Sequence, residues 1–390
     1  MRLSVLAVGT NSDHMLRYIK YCDAKKVSDI HIDVFLTTIN APINVFGRDK
    51  DVYGVTVPIL LSFLLRMPYI RNLVGLCYQT RTFRRLLKNN IYSLVCIHQL
   101  HPYTLSLTRI AKKSGIKVLL TPWGSDVLRA SEKQKRRLKR AFSIADYVSS
   151  DLSVGFTDKF VQMYEVDRNK LVDAWYGSDV ISSIYQQKQK VNKISIAKEF
   201  MIPTDRYYIT CGYAANHTQR HINMIEAIGK NKRLFPKDPF LVFPFTYGPD
   251  KYNNYQAELE NLCSQYELDY YFVKDYMPIE KVARLRLLSD LYFHILPTDA
   301  YSASLIEYIL AGSICINGKW LDYPSLEKYQ KPYYIVEDLA ELPFLVRDIF
   351  KTAPKTIDIL KDTENIILTG SWSVQINNWY RFFKRVSYCN

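Results

Sequence analysis

Short runs of aliphatic and aromatic residues recur along the first half of the chain, at 3–8 (LSVLAV), 31–36 (HIDVFL), 94–97 (LVCI), 118–121 (VLLT) and 147–149 (YVS). Each has the length of a strand, and the stretches between them space their apolar residues as helices do. Such a strand–helix succession predicts a parallel sheet covered by helices. The second half repeats the pattern, with runs at 207–211, 240–243, 270–273, 291–295, 313–316 and 333–335. Between the halves, 186–198 (QQKQKVNKISIAK) turns polar and basic. The prediction is an α/β fold of two Rossmann-like, doubly wound domains facing across a cleft. It places an N-terminal domain at 1–185, a linker at 186–205, a C-terminal domain at 206–370 and a closing helix at 371–390.

Length and composition agree. At roughly 150 residues per domain, 390 residues suit two or three domains. The length excludes one small disulfide-stapled fold, and 48% hydrophobic with 23% charged residues is an ordinary globular mixture that argues against disordered, collagenous and coiled-coil chains. The charge adds something new: 52 Lys and Arg against 38 Asp and Glu leave +14, which favours an anionic partner. It is uneven. Residues 1–182 carry 27 basic and 15 acidic side chains and 183–390 carry 25 and 23, so the halves stand at +12 and +2. Lys133, Lys135, Arg136, Arg137, Lys139 and Arg140 crowd one predicted helix, and Arg81, Arg84, Arg85 and Lys88 follow the apolar stretch 57–70. Basic groups beside amphipathic apolar surface suit an anionic membrane face. No RNP, KH, zinc-finger or helix-turn-helix pattern accompanies them, so nucleic acid is not expected. Seven scattered cysteines without a C-x-x-C pair read as reduced thiols of a cytoplasmic protein. The amino terminus reads as a first strand rather than a signal peptide. The apolar stretch 55–65 falls well short of the roughly 20 residues a spanning helix needs, so no transmembrane segment is expected.

In an open parallel sheet, ligands bind beyond the carboxyl ends of the strands. Gly9 and Thr10 follow the first strand, although neither G-x-G-x-x-G nor a Walker A sequence is present. His98 and His101 follow LVCI, and TPWGSD at 121–126 follows the next run, bringing Ser125 and Asp126 to the same edge. Core or capping roles are the alternatives for both histidines and for Asp126. Cys96, His98 and His101 lack a fourth ligand, so no metal is expected. The richest segment is 288–318, LSDLYFHILPTDAYSASLIEYILAGSICING, which reads as strand, loop, helix, glycine turn and strand. Ser302 or Ser304 can cap its helix, whose free N–H groups suit a phosphate. Asp299 precedes the helix and Glu307 follows eight residues later, where its carboxylate can accept both hydroxyls of a ribose. That combination suits a nucleoside-diphosphate sugar.

These segments resemble a known family. Asp299-x7-Glu307 followed by Ala311 and Gly312 resembles the E-x7-E motif of the large retaining GT-B glycosyltransferase family, which includes glycogen and sucrose synthases and many bacterial surface-polysaccharide transferases. Asp replaces the first Glu. Residues 97–129 resemble that family's H-x-H and HG-x-D segments, with Trp123 where a His often stands, and 173–180 (DAWYGSDV) resembles its Y-G-V-D segment. The resemblance covers nearly the whole chain. It implies a second domain that binds a nucleotide-sugar donor. There Asp299, with Tyr301, Ser302, Ala303 and Ser304, touches the sugar, Glu307 holds the ribose, and Arg220, helped by Lys274, holds the diphosphate. It implies a glycan acceptor on the first domain, at Gly9, Thr10, His98, His101, Ser125 and Asp126. Asp126, Arg220 and Asp299 are the expected catalytic residues. Transfer would proceed with retention, without metal or cofactor. The basic first domain adds the expectation of an acceptor at the membrane, a polyprenyl-diphosphate-linked oligosaccharide of a capsule, O-antigen or exopolysaccharide, met by a cytoplasmic enzyme held peripherally at the inner face of the cell membrane. In this fold class a last helix crosses back onto the first domain; the basic, amphipathic 371–390 fits a membrane-facing tail equally. A nucleotide-sugar 2-epimerase of the same fold and a catalytically silent binding protein are the rival readings.

Overall fold

A computed structural model of the chain describes residues 3–10, 12–24, 30–41, 51–58, 63, 65–150, 156–236, 239–299, 302–321, 323, 326, 332–352 and 361–388. The chain forms two units, 1–177 with 372–390, and 178–371.

The first unit is built on β1 (Leu3–Gly9), β2 (Ile30–Ile39), β3 (Val52–Val55), β4 (Leu94–His98), β5 (Lys117–Thr121), β6 (Tyr147–Ser150) and β7 (Leu171–Asp173). These pair in the order β3-β2-β1-β4-β5-β6-β7, parallel throughout. Its helices are α1 (Asp13–Ala24), α2 (Pro68–Asn89), α3 (Thr104–Lys113), α4 (Ser125–Leu128), α5 (Glu132–Ile144) and α6 (Phe156–Tyr164). All five residues of β4 are buried. A parallel strand covered on both faces has no solvent side, which is why LVCI reads as an unbroken apolar run.

The second unit contains α7 (Asp179–Gln187), α8 (Lys193–Glu199), β8 (Tyr207–Cys211), α9 (His221–Lys230), β9 (Pro239–Pro244), α10 (Tyr255–Gln265), β10 (Asp269–Val273), α11 (Ile279–Leu288), β11 (Leu291–His294), α12 (Ala303–Ala311), β12 (Ile314–Gly318), β13 (Tyr334–Val336), α13 (Leu342–Lys351) and α14 (Lys361–Thr369). Its parallel sheet runs β10-β9-β8-β11-β12-β13. One apolar layer joins α7, α8, α11 and α12 to the sheet, and a second joins α9, α10 and α13 to its other face. Strand order reverses between β1 and β4 in the first unit and between β8 and β11 in the second, and each reversal opens a switch point at the carboxyl edge.

Two features differ from the sequence reading. The expected linker at 186–205 is no linker, because all of it belongs to the second unit, which starts at Ser178 rather than 206, and it holds the end of α7 and the whole of α8. Ile184, Ile196, Ala197, Phe200 and Ile202 are buried in that unit's core, at spacings that the intervening Lys and Gln residues obscure. Asn192 and Ser195 form a reciprocal capping box that starts α8. The edge strands β3 and β7, four and three residues long, also went unpredicted. The closing helix, α15 (Trp372–Tyr388), packs into the first unit through Trp372, Ile376, Trp379, Phe382, Phe383 and Val386. The Trp379 indole N–H donates to the Trp175 carbonyl at 2.8 Å. Among the described residues no helix is long and apolar enough to cross a membrane.

Candidate functional site

At the carboxyl edge of the second sheet, β8 gives way to Gly212 in the left-handed region (φ 66°), where a Cβ would press on Gln219 and His221. The loop then tightens through Asn216, whose side chain accepts from the Thr218 N–H, and ends at Arg220, itself left-handed (φ 63°) and the residue before α9. The Arg220 guanidinium carbon lies 5.0 Å from the centroid of the Trp320 ring. From the neighbouring strand β11 the chain passes His294, fully buried, whose Nε2 lies 2.9 Å from the Tyr323 hydroxyl and 3.3 Å from an Asp299 oxygen. Ser302 caps α12, its hydroxyl accepting from the Leu305 N–H at 3.1 Å, while Ala303 is exposed at the helix start and Ser304 is buried. Tyr301 lies outside the described residues. Glu307, 5% exposed, is held from two sides. Its Oε1 accepts from the Ser178 hydroxyl at 2.8 Å, and its Oε2 accepts from Arg286 Nε at 3.0 Å. Arg286 also donates to the Tyr308 hydroxyl at 2.8 Å, and Tyr308 stacks on Tyr292 at 3.9 Å. Lys274 is exposed just beyond the edge strand β10, two strands from β8.

At the switch point of the first unit, the Gly9 carbonyl accepts from the Thr37 hydroxyl and Thr10 donates to the Gln99 side chain at 2.9 Å. His98 is fully buried. Its ring lies 4.5 Å from Tyr18 and 5.8 Å from Trp379, and Nδ1 contacts the Tyr176 hydroxyl. Burial pulls its pKa down to about 3, so the imidazole is neutral. His101 is half-buried, and burial lowers its pKa too. Asp126 accepts backbone N–H bonds from Leu100 (2.7 Å), Trp123 (2.9 Å) and Gly124 (2.8 Å). Burial pushes its pKa up to about 6 in spite of those bonds. The carboxylate thus ties the loop after β4 to the loop after β5, while Ser125 stands exposed beside it. Among the described residues no three His, Cys, Asp or Glu side chains gather to hold a metal ion.

Residues 4–152 match the sequence model of the family described as glycosyl transferase 4-like. No curated protein matches the chain. Among solved structures, a glycosyltransferase from Rickettsia africae superposes with a TM-score of 0.73 at 12% identity, over 99% of this chain and 98% of that one. The sucrose-phosphate synthase of Thermosynechococcus elongatus gives 0.69 at 13% identity, over the whole of both chains. Anabaena HepE, in complex with UDP and glucose, gives 0.66 at 12% identity, over 98% of this chain and 100% of that one. The chain has the GT-B glycosyltransferase fold.

Within this GT-B chain the structure adds residues that sequence reasoning missed. Arg286 sits in the apolar stretch VARLRLL of α11, and a cation among leucines signals a buried partner, but nothing in the sequence says it is Glu307. Ser178 lay inside the segment singled out at 173–180 without a role. Trp320 follows β12 with no motif around it. Chemically, the GT-B second unit offers a cation (Arg220), a capped helix start (Ser302, Ala303) and a fixed carboxylate (Glu307) on the loops and helices that follow β8 and β11. A carboxylate has about four lone-pair sites, so the bonds from Ser178 and Arg286 leave Glu307 able to accept further hydroxyls.

Proposed function

We propose that the protein is a glycosyltransferase that moves a sugar from a nucleoside-diphosphate donor, held at the carboxyl edge of the second unit, to a glycan acceptor bound by the first. The observation that carries this reading is Glu307, fixed by Ser178 and Arg286 on the helix that Ser302 caps, in the same unit as Arg220. In the proposed reaction Glu307 accepts the ribose hydroxyls, and the guanidinium of Arg220 binds the diphosphate and stabilises the charge that grows on it as the sugar leaves. Asp299, with the loop amides at 302–304, faces the donor sugar. The configuration at the anomeric carbon is retained, the departing diphosphate takes the acceptor's proton, and no metal takes part. In this reading Asp126 acts by holding the acceptor-side loops rather than by touching the reacting atoms, since backbone N–H groups occupy its oxygens.

The acceptor is proposed to be lipid-linked, in the synthesis of a cell-surface polysaccharide, with the protein held peripherally at the inner face of the membrane. Support comes from the first unit, where α2 and α3 contain no acidic residue and α5 only Glu132. Arg84, Lys88, Arg109 and Lys113 line a groove of about 610 Å³ between α2 and α3. A UDP-sugar is the first donor to test. Glu307→Ala should abolish donor-dependent release of nucleotide; a variant that keeps full turnover and donor affinity would overturn the site. Conversion of the donor without acceptor would indicate an epimerase instead. Flotation with anionic vesicles tests the membrane, and binding indifferent to ionic strength would remove that part.

A further inference from the structure

Three features seat Trp320. Gly318, two residues before it, has no side chain, and a Cβ there would collide with the indole. The indole N–H donates to the Leu296 carbonyl at 2.5 Å, in the loop after β11. The Arg220 guanidinium, in the loop after β8, lies over its ring. Strands β8, β11 and β12 are neighbours in the sheet, so one indole joins the loops that leave three adjacent carboxyl ends. It is nonetheless about one-third exposed, at 36%.

Arg220 has need of such a support. It adopts a left-handed backbone (φ 63°), which costs a non-glycine residue energy and persists only where the surroundings enforce it. Among the described residues its guanidinium forms no ion pair with a carboxylate. A carboxylate partner would fix the guanidinium but cancel the charge. An aromatic face attracts a cation and leaves the charge intact. A cation that must meet a diphosphate calls for the second arrangement.

We propose that Trp320 is a positioning residue: its ring holds the Arg220 guanidinium, charge uncompensated, at the place where the donor diphosphate binds. The proposal rests on the reading that Arg220 is the diphosphate cation. Titration calorimetry of the full chain with UDP, GDP and dTDP, and with uridine, guanosine and thymidine, separates the two ideas. Wild type should bind one of the diphosphates well ahead of its nucleoside. Trp320→Leu keeps apolar bulk without the π face, and should lose roughly tenfold in diphosphate affinity with the nucleoside affinity unchanged. Trp320→Phe should stay within about threefold of wild type, as expected for a retained ring. Adding Trp320→Leu to Arg220→Ala should weaken the diphosphate no further than Arg220→Ala alone.

Equal losses for nucleoside and diphosphate in Trp320→Leu would make Trp320 a wall of the site or a folding residue, and would overturn the proposal. So would loss of the diphosphate preference in Trp320→Phe. If Arg220→Ala loses the preference and Trp320→Leu keeps it, Trp320 has no such role while the reading of Arg220 stands. If Arg220→Ala keeps the preference, or wild type binds none of the three diphosphates, the diphosphate reading itself fails and this proposal with it.

Discussion

Replacing Arg286 by Met removes a guanidinium that is 8% exposed and strands a carboxylate that is 5% exposed. The charge left behind cannot escape to water. Glu307 keeps the bond from Ser178 but loses the cation 3.0 Å from its Oε2, and Tyr308 loses the donor to its hydroxyl. Breaking a buried ion pair from one side costs about 3–5 kcal/mol, because the remaining ion is uncompensated. Against the 5–15 kcal/mol typical of a whole domain, that is enough to shift the unfolding midpoint of the second unit visibly. Removing both charges tells a different story, since a buried pair replaced by neutral groups of similar size is often neutral in stability. Arg286→Met with Glu307→Gln should therefore regain more than half of what the single variant lost. Urea unfolding followed by fluorescence and by circular dichroism, on wild type and both variants, measures this. The reasoning is refuted if Arg286→Met falls within about 1 kcal/mol of wild type, well under the buried-pair range, or if the double variant is less stable than the single one.

Three further outcomes follow from burial and topology. Asp126 has its folded pKa raised from 3.8 to about 6. Its protonated form stabilises the fold fully below pH 3.8, and that contribution is lost as pH rises through about 6, by at most about 3 kcal/mol. Thermal unfolding from pH 4 to 7 should show the stability difference between wild type and Asp126→Asn moving against wild type across that window; a pH-independent difference would exclude it. His98 shifts the other way, from 6.5 to about 3. The stability it contributes is complete above pH 6.5 and lost as pH falls toward 3, at about 1.4 kcal/mol per pH unit. His98→Gln should flatten the acid limb by that slope, and an unchanged limb would place the ring in contact with solvent. Finally, the fragment 178–371 should unfold cooperatively by itself, whereas 206–371, which lacks the buried Ile184, Ile196 and Phe200, should not. Equal cooperativity in the two fragments would restore the linker.

What could be read from the sequence divides along a physical line. The central strands of both sheets are buried on both faces, so composition over four or five residues suffices to see them. Helices α7 and α8 escaped because their apolar residues lie at helical spacing among Lys, Gln and Ser, and a charged, polar average hides a buried stripe. The same division runs through the site. Glu307 and Asp299 could be picked out because both stand in one strand–loop–helix segment, where spacing along the chain is spacing in space. The partners of Glu307 could not, since Ser178 and Arg286 reach it from α7 and α11 and their meeting depends on how three helices pack. His98 shows the converse: a strand-end position marks it for ligand contact, yet Tyr18 of α1 and Trp379 of α15 cover its ring. A strand end is open only where nothing distant in sequence returns to close it. Trp320 is closed off only in part: Arg220 reaches its ring from the loop after β8 and Leu296 accepts its N–H, yet about a third of its surface stays exposed beyond β12.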